Sequence, residues 1–305
     1  MKTFQMLYWF STLMGFLKVT RVESWLGWIF SFGFGSIFLS LPPPERFLAV
    51  LFAFSFATAS IFILNQYFDR KEDQENAFKS NLPVASGRIT PRTALIFSFV
   101  LIILCLVLVI LVDTNLLSLF LVYLVFGTAY SAPPFRLKNV PVVDFVVSGV
   151  GAGFMPFLMG LELTGKISSD ISSIMLGVVP LILIHSGGHI LQAVGDCEVD
   201  RKMGVHTFVV RYGKKKGVVA AGFMFLLACF SPLIYSVFGL FSYKHLFMFF
   251  ILFPLSVPII KRYAEVLKEP STRTVINMQK TATRYGVIGA TVALCYMILV
   301  NIASI

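Results

Sequence analysis

The stretch NQYFDRKED (65–73) closes a run of apolar residues that begins near Phe47, and QAVGDCEVD (192–200) closes another. Polar side chains recur at the same four-residue steps: Asn65, Asp69 and Asp73 in the first, Gln192, Asp196 and Asp200 in the second. Each corresponding pair lies 127 positions apart (65 and 192, 69 and 196, 73 and 200). Residues four apart share one helix face. Both stretches therefore predict a helix whose last turns carry a stripe of carboxylates, and His185 and His189 extend the second stripe. A polar stripe on an apolar span has to face a protein interior or a water-filled cavity.

Outward from these stretches the chain is a membrane sequence. Of 305 residues, 57% are hydrophobic and 13% charged, too little charge to cover a soluble domain of this size. A span needs about 20 apolar residues. Nine candidate spans run near Ser24–Leu41, Phe47–Tyr67, Thr93–Val112, Leu116–Tyr130, Val142–Leu161, Ile171–Val194, Gly217–Phe238, His245–Ile260 and Tyr285–Ile302. Phe4–Leu17 is short, has basic flanks and lacks a small-residue cleavage site, so it reads as an interfacial helix rather than a signal peptide. All Lys and Arg except Arg46, Lys166 and Lys244 fall on the face shared by the N-terminus and the loops after even-numbered spans. The positive-inside rule makes that face cytoplasmic.

The expected fold is thus an all-α, multi-pass integral membrane protein: nine transmembrane helices, as two four-helix halves plus one, around a central cavity. Residues 1–20 form the interfacial helix, 21–130 the first half, 131–262 the second, and 263–305 a cytoplasmic loop with the ninth helix. The 127-residue offset supports two parallel halves. Long polar loops are expected on the cytoplasmic side at Asp69–Arg92, Gly195–Lys216 and Lys261–Arg284. The net charge of +10 is a topology signal and calls for no nucleic-acid partner. Cys105, Cys197, Cys229 and Cys295 form no CxxC pair, so neither zinc nor a disulfide is indicated.

Four aspartates facing one cavity repel unless a cation joins them. Hard oxygen ligands in this pattern suit Mg²⁺, which takes one or two carboxylates and completes its shell with water and substrate phosphate. Asn65, Asp69, Asp73, Asp196 and Asp200 are the candidate metal ligands. Lys71, Lys79, Arg88, Arg136, Lys138 and Arg201 lie on the same membrane face and are candidate phosphate contacts. Because HSGGH lacks the Glu of a zinc HExxH helix, His185 and His189 are candidates for lining the cavity or for helix-packing hydrogen bonds, and Gln192 is a further cavity-lining candidate. Gly149, Gly151 and Gly153, with Ser186, Gly187 and Gly188, are candidates for close helix approach. The alternative class is an ion-coupled transporter using intramembrane carboxylates. Against it, the acids sit at one end of the membrane.

At these residues the sequence resembles the UbiA superfamily of intramembrane prenyltransferases. The resemblance rests on NQYFDRKED (65–73), DCEVD (196–200), KSNLPVASGR (79–88), YSAPPFRLK (130–138) and GVHTFVVRYG (204–213), and covers nearly the whole chain. It implies transfer of a prenyl group of the geranyl-to-geranylgeranyl class from an isoprenoid diphosphate to a lipophilic acceptor, with Mg²⁺ as cofactor. It also implies that Arg21 approaches the diphosphate, that Asp69, Asp196 and Tyr130 serve catalysis, and that Tyr130, Arg136 and Lys138 belong to a basic loop after the fourth span. YSAPPFRLK is closer to the pigment-synthase and archaeal-lipid branches than to the hydroxybenzoate branch. Three positions depart from the family pattern: Gln66 replaces an Asp, Leu82 an Arg, and Pro134 a Lys.

Overall fold

The computed structural model describes residues 14–165, 171–239 and 243–303. Among them there is no strand. The helices are α1 (Leu26–Ser36), α2 (Pro44–Phe68), α3 (Arg70–Glu75), α4 (Pro91–Val112), α5 (Leu117–Ser131), α6 (Val143–Gly149), α7 (Met155–Glu162), α8 (Ile171–Lys202), α9 (Phe208–Tyr212), α10 (Lys214–Val237), α11 (Tyr243–Lys268) and α12 (Thr272–Ala303). Six helical stretches are long and apolar enough to cross a membrane among the described residues: 44–68, 91–112, 114–131, 143–162, 177–202 and 272–302. Helices α1, α10 and α11 overlap the first, seventh and eighth expected spans but are not among these six. Most of the expected interfacial helix over Phe4–Leu17 lies outside the described residues, and 14–19 are helical.

Two compact units divide the chain, Met1–Leu26 with Leu48–Leu137, and Gly27–Phe47 with Lys138–Ile305. In the first unit α2 is held by α4 and α5. Ser98 Oγ on α4 donates to Ser60 O at 3.2 Å, and Thr58 Oγ1 meets Tyr123 Oη at 2.9 Å. Without solvent water to compete, such interhelical bonds are the adhesive of apolar bundles. A double-mutant cycle on Thr58→Val and Tyr123→Phe, read by unfolding in micelles, is expected to give a coupling of about 0.6 kcal/mol. A coupling of zero would mean that packing alone holds this pair of helices. The far side of α4 carries Ile96, Phe99, Ile103, Val107 and Leu111 in the open, and only 22% of its most apolar stretch is buried. Such a face needs lipid against it.

In the second unit α8 is the centre. Gly149 and Gly153 bring the α6–α7 segment onto it: a Cβ on Gly153 would stand 2.8 Å from the backbone of Leu181. Gly187 makes room for Phe225 of α10 at 2.9 Å. Gly151 and Gly188, expected to do the same, face open space. A π-helical turn at Val150–Phe154 separates α6 from α7. Pro156 explains it, since proline has no N–H to return to the preceding turn and its ring crowds the carbonyl four residues back.

The expected cytoplasmic loop Lys261–Arg284 is not a loop. Helix α11 continues to Lys268 and α12 begins at Thr272. At 1.5 Å per residue, α12 is roughly 48 Å long, well beyond a hydrocarbon core of about 30 Å, so its polar first turns project past the membrane. The other two expected loops are also largely structured, by α3 and turns over 76–90, and by the last turns of α8 with α9.

Candidate active site

In the first unit the stripe Asn65–Asp69–Asp73 survives the end of α2. Asp69 sits between α2 and α3, yet Asp69 N donates to Asn65 O at 2.9 Å and Asp73 N to Asp69 O at 2.8 Å. Helical bonding therefore runs through the junction and keeps the i, i+4 spacing. Asn65 Nδ2 donates to Asp69 Oδ2 at 2.5 Å and to Ser131 Oγ at 2.9 Å. With both amide hydrogens committed, Oδ1 is the atom Asn65 can present to a cation.

Asp69 and Asp73 are each 6% exposed. Arg136 binds the neighbouring Glu72 through Nη2, and the same atom stands 3.7 Å from Asp69 Oδ1. The sequence reading missed Glu72, whose ion pair joins residues 64 positions apart. Among the described residues, the buried Glu72 Oε2 has no hydrogen-bond partner. Buried acid oxygens lacking a full complement of donors are what a hard cation takes up, so these residues fit Mg²⁺. No group of three or more His, Cys, Asp and Glu forms a ready-made metal cage among the described residues.

The basic candidates in this unit are placed differently from one another. Arg21 is held beside α2. Gln66, wholly buried, donates Nε2 to Val19 O at 2.6 Å, and the Arg21 guanidinium lies 5.7 Å over the Phe62 ring. The Gln that replaces the family's Asp is thus a tether for the segment carrying Arg21. Arg88 turns back onto its own loop, bonding Asn81 O and Ser86 Oγ. Lys79 lies in the same run of turns, which Gln74 Nε2 ties to α3 by donating to Ala85 O at 3.0 Å. Tyr130 is half-buried in the last turn of α5.

In the second unit Asp196 and Asp200 are half-buried in the last turns of α8, and Gln192 is exposed. His185 bonds Ser31 Oγ of α1 at 3.1 Å, a helix-packing contact, and sits over Gly27. His189 is half-buried one turn on. Arg201 Nη1 reaches Glu198 Oε2 at 3.3 Å, and Lys214 of α10 pairs with the other oxygen of Glu198 at 2.8 Å. Lys138 is half-buried in the 3₁₀ turn Leu137–Asn139. Asp144, 1% exposed, accepts from Phe208 N at 2.8 Å and so anchors α9 behind the second motif.

The model of the UbiA prenyltransferase family matches residues 26–282, including both motifs. Digeranylgeranylglyceryl phosphate synthase from Natronomonas pharaonis is 27% identical over 210 residues, 68% of this chain and 71% of that one. Chloroplastic 2-acylphloroglucinol 4-prenyltransferase from Humulus lupulus is 31% identical over 170 residues, 52% of this chain but 39% of that longer one. The structure of a UbiA homolog from Archaeoglobus fulgidus bound to GPP and Mg²⁺ aligns over 94% of this chain and 99% of that one, at TM-score 0.69 and 20% identity, which shows the shared fold. This chain belongs to the UbiA prenyltransferase family and is an integral membrane prenyltransferase.

Proposed function

We propose that the protein transfers a prenyl group of the geranyl-to-geranylgeranyl class from an isoprenoid diphosphate to a hydrophobic acceptor within the membrane, in a Mg²⁺-dependent reaction. The observation that carries this is the pair of buried acids Asp69 and Asp73 beside the half-buried Glu72, with the Asn65 amide turned onto Asp69. The GPP and Mg²⁺ bound to the Archaeoglobus homolog support it. Asn65, Asp69, Asp73, Asp196 and Asp200 are the metal ligands in this reading. Arg21, Lys79, Arg88, Arg136, Lys138 and Arg201 are the diphosphate contacts.

Transfer breaks the allylic C–O bond, the diphosphate leaves with the electron pair, and the acceptor supplies the electrons of the new bond and loses a proton. Bound Mg²⁺ would offset charge growing on the leaving diphosphate. Arg136, already oriented by Glu72, adds a second positive charge near Asp69. The ring of Tyr130 offers a π face to the allylic cation, and apolar surroundings protect that cation from water. The motif ends and the N-terminus are cytoplasmic in this proposal, which rests on the charge asymmetry.

Chelation is the direct check. Treating purified protein with EDTA is expected to lower diphosphate release by at least ~100-fold, and added Mg²⁺ is expected to restore it. Turnover unchanged by chelation would overturn the metal assignment.

A further inference from the structure

We propose that a cleft between the polar ends of α11 and α12 binds the phosphate headgroup of an acidic phospholipid. The cleft measures about 550 Å³, and Lys261, Arg262 and Glu265 of α11 face Lys280, Arg284 and Tyr285 of α12 across it. None of these residues belongs to the aspartate motifs.

Four cations meet one acid here. Arg262 Nη1 takes both oxygens of Glu265, each at 2.8 Å. Among the described residues, Lys261, Lys280 and Arg284 make no ion pair with a carboxylate. Arg284 lies 5.9 Å over the Tyr285 ring, a cation–π contact that orients its fork. Setting the topology requires only that basic residues be on one side, in any arrangement. Gathering three in one concavity costs repulsion unless an anion joins them, and a phosphate accepts from a guanidinium and ammonium groups at once.

The neighbouring turns identify the anion as a lipid. Directly along the same two helices Val257, Ile260, Val287 and Ile288 are exposed. A basic cleft with exposed apolar side chains within a turn of it on both helices suits a charged headgroup whose acyl chains lie against the helices, and cytoplasmic basic pockets between membrane helices are where such headgroups bind. A soluble phosphate would leave those apolar side chains uncovered.

The test is native mass spectrometry of the full-length protein in detergent with phosphatidylglycerol or phosphatidylcholine of matched chains. The unaltered protein is expected to retain phosphatidylglycerol preferentially. Lys280→Gln with Arg284→Gln is expected to lose at least about tenfold in that binding, at unchanged phosphatidylcholine binding and unchanged thermal unfolding. If that pair fails to fold, Lys261→Gln alone is expected to give a smaller loss in the same direction. Equal phosphatidylglycerol binding by folded variants and the unaltered protein would overturn the site. Displacement of the lipid by glycerol 1-phosphate at equal concentration would overturn the lipid assignment in favour of a soluble phosphate.

Discussion

Asp69→Ala is expected to lower prenyl transfer by at least about a hundredfold while the protein stays folded. The side chain is a buried acceptor for Asn65 and stands 3.7 Å from Arg136. Its removal takes away one of the proposed metal oxygens and frees Asn65 to turn. The backbone bonds through the α2–α3 junction do not involve the side chain, and Arg136 keeps Glu72. Helicity and thermal unfolding should therefore change little. Asp196→Ala, half-buried on α8, is expected to do the same to turnover at a still smaller cost in stability. Diphosphate release measured beside circular dichroism separates the two effects. Normal turnover in both variants would remove the aspartates from the chemistry.

The largest effect on stability is expected at Gly160. A Cβ there would press on the carbonyl oxygen of Phe32 and stand 2.6 Å from Ser36 N, both backbone atoms of α1. Gly35 presents the reciprocal contact, its Cβ direction blocked by the Phe157 carbonyl. Two helices touch backbone to backbone, so neither can yield by turning a side chain. Gly160→Val is expected to destabilise by about 3 kcal/mol or more, the upper range of overpacking, with a clear drop in the detergent unfolding temperature. Gly188→Ala is the control. It faces open space on α8, and replacing a helical glycine there should raise stability by about 0.5–1 kcal/mol. Equal behaviour of the two variants would show that the α1–α7 approach is looser than described.

How legible this was in the sequence follows from the range of each interaction. The apolar runs and four-residue steps are local, and the helices α2 and α8 and the i, i+4 spacing of Asn65, Asp69 and Asp73 follow from them. Helix ends were less legible where polarity changed without a change in conformation. Lys261–Lys268 and Thr272–Arg284 read as loop because they are charged, yet Ala264, Glu265, Leu267 and Lys268 are good helix formers. The long-range partners were not legible at all. Glu72 meets Arg136, Ser31 meets His185, and Gly160 meets α1 only through the folded packing. A spacing rule cannot tell Gly153, which packs on α8, from Gly151, which packs on nothing within 4 Å. Glu72 could have been flagged by its place one residue before Asp73. Its pairing could not.

In the proposed reaction the two aspartate motifs serve Mg²⁺-dependent prenyl transfer. Its most direct test is incubation of the purified protein with labelled geranylgeranyl diphosphate, Mg²⁺ and a membrane lipid extract, with products read by mass spectrometry. The expected result is a prenylated lipophilic product formed in step with diphosphate release, and absent from Asp69→Ala and Asp196→Ala. No product and no diphosphate, with ion flux across proteoliposomes instead, would contradict it.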